Sequence, residues 1–526
     1  MINKIWVSMV VFVAAYFIQV EPRLLLFPQE AWPESAIMEE GPGGPPSSAG
    51  TVKAPLSNPR QYLWHTFYGG TGRQECFAAA VGPDGSIYVA GTSWASWLGE
   101  GDAAPKHPFT GGETDIFVMK LSAGGAYQWH TFYGSSAVEN ARGIAVGGDG
   151  SVYVTGDTGG NWPLDGDRAP KHPFSGPSDI FVLKLSPGGA YMWHTFYGSA
   201  NSDLGKGLAL DQENNVYVAG LSWATWAGDG GTAPKHPYNS TAGNTTDIVI
   251  LKLNSSGVYQ WHTFYGAGGS TGADQAYGVA VSGSGDVYVT GESFLSWLGD
   301  GLVSPKHPHS GGSAMDIFVL KLNSSGTYQW HTFYGAGNFF SDSGQAVAVD
   351  PDGSAYVTGY ANANWPGDGG APPRHAFSGN YDFVVLKLDK DGRYQWHTFY
   401  GSAEFDIGFG ILFGRDRGVY VAGYSWNWLG DNGAAPLHPN GGGRDFTLLA
   451  LSENGDYQWH TFYGGTGNDE AHALAEGPQE SLVLAGHSGG NWKGDSNANP
   501  LHPFPGSITV LKMGSKTRVG LPIVIR

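Results

Sequence analysis

The hexapeptide Trp-His-Thr-Phe-Tyr-Gly occurs seven times in this 526-residue chain, with its tryptophan at Trp64, Trp129, Trp193, Trp261, Trp330, Trp396 and Trp459. Successive copies are 63–69 residues apart. A fixed period of near-identical wording marks a repeat architecture and overrides any domain count drawn from length. Units of one kind bury a continuous core only by stacking on one another.

Each unit divides into four strand-like pieces. In the second copy these are 143–146, 151–156, 179–185 and 191–197, rich in Val, Ile, Phe and Tyr. Gly/Asp and Pro/Gly turns separate the first pair and the last pair, and a long loop joins the second piece to the third. The 83 glycines and the 14% of charged residues suit many short strands better than helices. Four strands per unit in a meander form a propeller blade.

The ends of the chain complete this arithmetic. The first Trp-His-Thr-Phe-Tyr-Gly precedes any other strand of its unit. The last unit stops at its third strand, 508–512. The N-terminal strand is therefore expected to complete the last blade and remove an open sheet edge. The fold predicted is all-β, a closed seven-bladed β-propeller of four-stranded antiparallel blades over residues 61–513. The first strands are small inside (Ala78, Ala79, Ala80; Gly143, Ala145; Gly207, Ala209), as crowding near the axis requires.

The succession of TFYG, a Gly/Asp-rich stretch, GIAV, xxDGxVYVTG and DIFVLKL resembles the bacterial seven-bladed β-propeller repeat family (SBBP-type repeat proteins). The resemblance covers about residues 61–513. It implies an extracytoplasmic propeller and no established chemistry. The long Trp- and His-containing loops depart from the family pattern.

Residues 1–20 carry Lys4 and then an uncharged apolar run, which reads as a signal peptide or a membrane anchor. Residues 21–60 form a Pro/Gly-rich linker with an apolar patch at 24–27, and 514–526 is an apolar tail. Location is expected to be secreted or cell-envelope. Either terminal segment could serve self-association, and the N-terminal one a membrane tether. The formal charge of −18 argues against nucleic acid as a partner. The single cysteine, Cys76, excludes an intrachain disulfide.

In a four-stranded blade the second-to-third loops emerge on the same face as the connections between blades. Both are long here, so one face of the disk is elaborated and is the candidate for a protein or glycan partner at the cell surface. The long loops share Trp-x-x-Asp/Glu followed by a basic residue, His and Pro. Their tryptophans are Trp97, Trp162, Trp226, Trp297, Trp365, Trp428 and Trp492. The acids include Asp165, Asp229, Asp300 and Asp368, and the histidines include His172, His236 and His307. Two readings compete. The motif either orders the loop from within, or offers exposed indoles as platforms for sugar rings, one per blade.

Two further sets recur. The histidines within the hexapeptide (His65, His130, His194, His262, His331, His397, His460) read as packing residues. Acids precede each first strand at Glu139, Asp203, Asp274, Asp342, Asp406 and Asp469, with Gln74 in the first blade. They either cap their own turns or form an axial ring that holds a cation, calcium by donor type. Three residues on, the repeat stops repeating: Phe77, Arg142, Lys206, Tyr277, Gln345, Phe409 and His472. Such a position could carry ligand specificity, with Arg142, Lys206 and Tyr277 as candidates. No nucleophile elbow, phosphate loop or zinc-protease helix appears, so an enzyme is not expected.

Overall fold

A computed structural model describes residues 59–162, 168–239, 245–268, 272–312, 314–503 and 506–515. The expected leader, most of the linker and the tail from 516 onward lie outside the described residues. The described chain forms seven four-stranded antiparallel sheets. Six are consecutive meanders, such as Asp203–Leu210, Val216–Ser222, Asp247–Leu253 and Tyr259–Tyr265. We number the blades from the one that starts at Gln74.

The seventh blade mixes the two ends of the chain. Its strands Asp469–Glu476, Leu482–Ser488 and Ile508–Gly514 are completed by Gln61–Tyr68 from the N-terminus. His65 pairs with Leu511 and Tyr68 with Ile508. The closure expected from the incomplete terminal units is therefore the closure found. Arg60, just before that strand, is buried and reaches Asp416 at 2.6 Å and Glu480 at 3.3 Å in the turns of blades 6 and 7.

The core lies between blades. Tyr217, Ile248 and Ile250 of blade 3 pack with Val287, Phe318 and Leu320 of blade 4. The same layer recurs across the closure, where Tyr68, Ile508 and Val510 meet Val89 and Phe117. Alternation along each strand serves two neighbouring layers at once, so both faces of a blade are apolar.

Every innermost strand contains a β-bulge at one place. The register slips between Cys76 and Ala78, Ala141 and Gly143, Gly205 and Gly207, Ala276 and Gly278, Gly344 and Ala346, Gly408 and Gly410, and Ala471 and Ala473. A glycine of the second strand lies against each bulge. At Gly220, for example, a Cβ would overlap the carbonyl oxygen of Leu204. That steric demand accounts for the glycine that ends each Val-Tyr-Val-Thr/Ala-Gly run.

Candidate functional site

The long loops turn back along the outermost strands. In blade 3 the Lys235 N–H donates to the His262 carbonyl at 3.0 Å, and the Phe264 N–H to the His236 carbonyl at 3.2 Å. The same pair closes blade 7 onto the N-terminal strand, through Leu501 to His65 and Phe67 to His502. The outer edge of each sheet is thus covered, which protects it from pairing with another chain. Because the contact uses the backbone amide, Leu437 and Leu501 serve as well as lysine.

Each loop histidine finishes this seam. His172, His236 and His307 are half-buried, and their Nδ1 atoms lie 2.8 Å from the carbonyls of Phe196, Phe264 and Phe333. Their rings stack on Tyr197, Tyr265 and Tyr334. Asp229, Asp300 and Asp368 accept from the hydroxyls of the same three tyrosines, one blade back, at 2.9–3.0 Å. Asp165 lies outside the described residues.

The loop tryptophans are buried. Trp162 and Trp365 are at most 1% exposed, and Trp226, the most open of the seven, is 8% exposed. Trp97, Trp297, Trp428 and Trp492 lie within the same range. This corrects the sugar-platform expectation, because the indole faces are already covered. Trp97, Trp226, Trp297, Trp365, Trp428 and Trp492 stack on hexapeptide histidines at 3.8–4.1 Å. In each of these six, histidine Nε2 lies 2.9–3.2 Å from the tryptophan carbonyl and Nδ1 2.6–2.8 Å from a tyrosine hydroxyl. Nε2 therefore carries the proton and Nδ1 accepts. Burial pushes these imidazoles down to about 4.

The acids before the first strands do not converge on the axis. Each is at most 1% exposed and turns into the connection between two blades. Glu139, Asp203 and Asp406 accept from the N–H groups of Ser135, Ser199 and Ser402. Asp274, Asp342 and Asp469 accept from Ala267, Ala336 and Gly465. Of the two readings of these acids, the contacts are those of six local turn caps. Burial raises the carboxyls, to about 7 at Asp203 and Asp274.

The position that varies between repeats has a structural identity. Phe77, Arg142, Lys206, Tyr277, Gln345, Phe409 and His472 are the residues at the bulges. A bulge re-aims its side chain, here toward the axis. Phe409 lies 4.6 Å from His472, His472 5.5 Å from Phe77, and the Arg142 guanidinium 4.2 Å over the Phe77 ring. Burial and then the Arg142 charge push Lys206 down to about 8. The Tyr277 hydroxyl donates to Glu292 at 3.0 Å, and burial raises the Glu292 carboxyl. Unlike side chains thus meet around the axis, near the middle of the first strands.

A family model described as a beta-propeller repeat (SBBP) matches residues 193–225 and 329–365. The chain carries SBBP-type beta-propeller repeats. The chain is also similar to an uncharacterised WD repeat-containing protein of Acanthamoeba polyphaga mimivirus, 23% identical over 71% of the chain and 31% of the relative. It is 26% identical to the regulatory protein FlaEY of Caulobacter vibrioides, over 71% of the chain and 39% of the relative. The chain thus spans 31–39% of the length of these curated relatives. Among solved structures it is similar to the WD40 propeller domain of Doa1 (8% identity, TM-score 0.43, 87% of this chain and 98% of that one). It is also similar to Sqt1 of Chaetomium thermophilum (11% identity, TM-score 0.35, 87% and 99%).

Sequence reasoning missed the second half of the axial site. Next to each bulge, a first-strand residue pairs with the penultimate residue of the second strand. Examples are Asn140 with Asp157, Gln275 with Glu292 and Glu470 with His487. The signal was present, since the residue after each Val-Tyr-Val-Thr/Ala-Gly run also varies. Only the cross-strand register shows that the two varying positions are neighbours.

Proposed function

We propose that the protein is an extracytoplasmic binding and scaffold module that engages a protein partner through its long-loop face, centred on the axial mouth. One observation carries this reading. Seven equivalent bulge positions hold aromatic, cationic, amide and imidazole side chains, while the residues that build the blades repeat nearly unchanged. Packing alone would favour one solution seven times. Beside the mouth, the blade connections present Phe339, 85% exposed, with Phe340 and Phe405 also exposed. Aromatic residues of this kind anchor protein interfaces. The apolar run at residues 1–20 supports an extracytoplasmic location. The curated relatives, a regulatory protein and a WD repeat-containing protein by name, are compatible with a non-enzymatic role.

The test is partner capture followed by titration. The full tagged chain is crosslinked in its host, and the captured protein is titrated with purified variants. Phe339→Ser with Phe340→Ser, and Arg142→Ala with Lys206→Ala, should each weaken binding by about tenfold or more. Lys390→Ala, on the opposite face, should leave it unchanged. Loss from Lys390→Ala alone would overturn the assignment of the face.

A further inference from the structure

Blade 7 differs from the other six at the axial mouth in its donor chemistry. Its bulge residue is His472, and the adjacent cross-strand pair is Glu470 with His487. One potential ligand atom from each of the three lies within 4.8 Å of the other two. Glu470 Oε2 is 3.5 Å from His472 Nε2 and 3.6 Å from His487 Nε2. The equivalent trios elsewhere, such as Leu204, Lys206 and Leu221, or Ile407, Phe409 and Tyr424, offer no such set.

Two independent features mark this as a ligand set and not only an ion pair. The first is unmet hydrogen bonding. His472 Nε2 is buried from water and makes no well-formed hydrogen bond, its nearest acceptor being Glu470 Oε2 at 3.5 Å, and in His487 the unpartnered nitrogen is Nδ1, across the ring from the Nε2 that faces Glu470. Buried polar atoms of this kind are rarely left unpaired. The second is a ready outer layer. Arg444 holds Glu470 Oε1 at 2.8 Å, which leaves Oε2 to face the two imidazoles. Phe409 and Phe77 pack against the His472 ring. A fixed carboxylate and an apolar surround are what tune metal ligands.

We propose that Glu470, His472 and His487 form a binding site for one divalent transition-metal ion of the zinc class. Two imidazoles and one carboxylate suit such an ion better than calcium, which prefers oxygen donors. Three protein ligands leave a fourth position open. A cavity of about 550 Å³, lined by Arg73, Gln74, Glu75, His487 and Ser507, borders the site and gives an exchangeable ligand room to enter. All three ligands stand on paired strands, and the two imidazole rings lie 5.0 Å apart and 15° from parallel, so a rotation of one ring brings the three donor atoms onto one ion. The proposal does not depend on the protein-partner reading, because it concerns the metal alone.

The test uses the full chain, stripped with chelator and titrated with Zn2+ and, separately, Co2+. About one equivalent of Zn2+ should bind, and Co2+ should give the intense visible absorption of a four-coordinate site. His472→Phe and His487→Tyr place residues that the sibling blades already carry at these positions, so the fold is expected to survive. Each should abolish the cobalt band and the tight zinc equivalent. Arg444→Gln, which touches no metal, should weaken zinc by about 10–100-fold. A wild-type protein without the cobalt band, or zinc binding unchanged in both histidine variants, would overturn the site.

Discussion

The imidazole of His262 lies flat against the indole of Trp226, with ring centres 3.8 Å apart and planes 7° from parallel. The histidine belongs to an outermost strand, and the tryptophan, 36 residues earlier, to the long loop. One ring nitrogen meets the Trp226 carbonyl at 3.1 Å and the other meets the Tyr259 hydroxyl at 2.7 Å. The contact thus pins the long loop to its own blade, by area and by two hydrogen bonds at once.

Replacing that imidazole with phenyl separates the two contributions. His262→Phe keeps a flat ring against Trp226 but leaves the tryptophan carbonyl and the tyrosine hydroxyl unpaired. A loss of about 1–3 kcal/mol is expected in urea unfolding. Blade 2 supplies the control. There the Trp162 and His194 rings are 5.4 Å apart, and His194 Nε2 has no hydrogen-bond partner. His194→Phe should therefore cost measurably less than His262→Phe.

The hexapeptide histidines also define a pH response. Burial lowers all seven from 6.5 to about 4 in the fold. Below the ordinary value the unfolded chain takes up protons that the folded chain refuses. The stability these groups contribute is therefore complete above about pH 6.5 and is lost as pH falls through about 4. In 15N NMR spectra their rings should hold the neutral, Nε2-protonated form down to about pH 4. Midpoints near 6.5 would contradict their burial.

Buried carboxyls act in the opposite sense. Burial raises Asp445 from 3.8 to about 8, with Asp469 beside it adding to the shift. A raised carboxyl contributes stability that is complete below about pH 4 and is lost as pH rises through about 8. Asp445→Asn keeps the neutral amide shape and cannot ionise. Its melting temperature should fall less than that of the wild type between pH 6 and pH 9. Parallel curves would show that Asp445 is already ionised at pH 6.

The repeat made the blades and their closure legible, because strand, turn and unit boundaries are all local patterns. The fate of Trp226 was not legible. An indole in a glycine-rich loop reads alike as an anchor or an exposed platform, and the choice depends on His262, which lies far along the chain. The acids posed the same difficulty. Asp203 and Asp274 share one position in the repeat, but a repeat position fixes neither depth nor direction. The bulge was hidden for another reason. Its steric trace is Gly220, which looks like an ordinary strand-ending glycine until Leu204 is placed across from it.

That trace can be tested at the glycine itself. A Cβ at Gly220 would overlap the Leu204 carbonyl oxygen and crowd Gly205 on the inner strand. Backbone cannot yield as a side chain can. Gly220→Ala should force the bulge out of register and carry Lys206 away from the axis. Severe destabilisation or insoluble expression is expected, whereas Thr290→Ala, one residue before the equivalent Gly291 in blade 4, should still fold. A Gly220→Ala protein with wild-type stability would refute the steric origin of this glycine.

Closure of the disk rests on the N-terminal strand and on the arginine that precedes it. Gln61–Tyr68 supplies the last sheet with its outer strand, and that strand in turn receives the loop seam from Leu501 and His502. Arg60 holds the start of the strand against Asp416, which also accepts from the Tyr420 hydroxyl at 2.6 Å. Arg60→Met keeps much of the packing but removes a charge-assisted bond, with an expected loss of about 1.5–3 kcal/mol. Removing residues 1–69 has a different consequence. The strand Ile508–Gly514 becomes an open edge, and Tyr68 no longer fills the layer with Val89 and Phe117. Unpaired edges recruit other strands. The truncated protein should therefore associate or aggregate on size-exclusion chromatography, and a synthetic peptide of residues 59–70 should restore the wild-type elution volume. A stable monomer without the peptide would mean that closure does not need this strand.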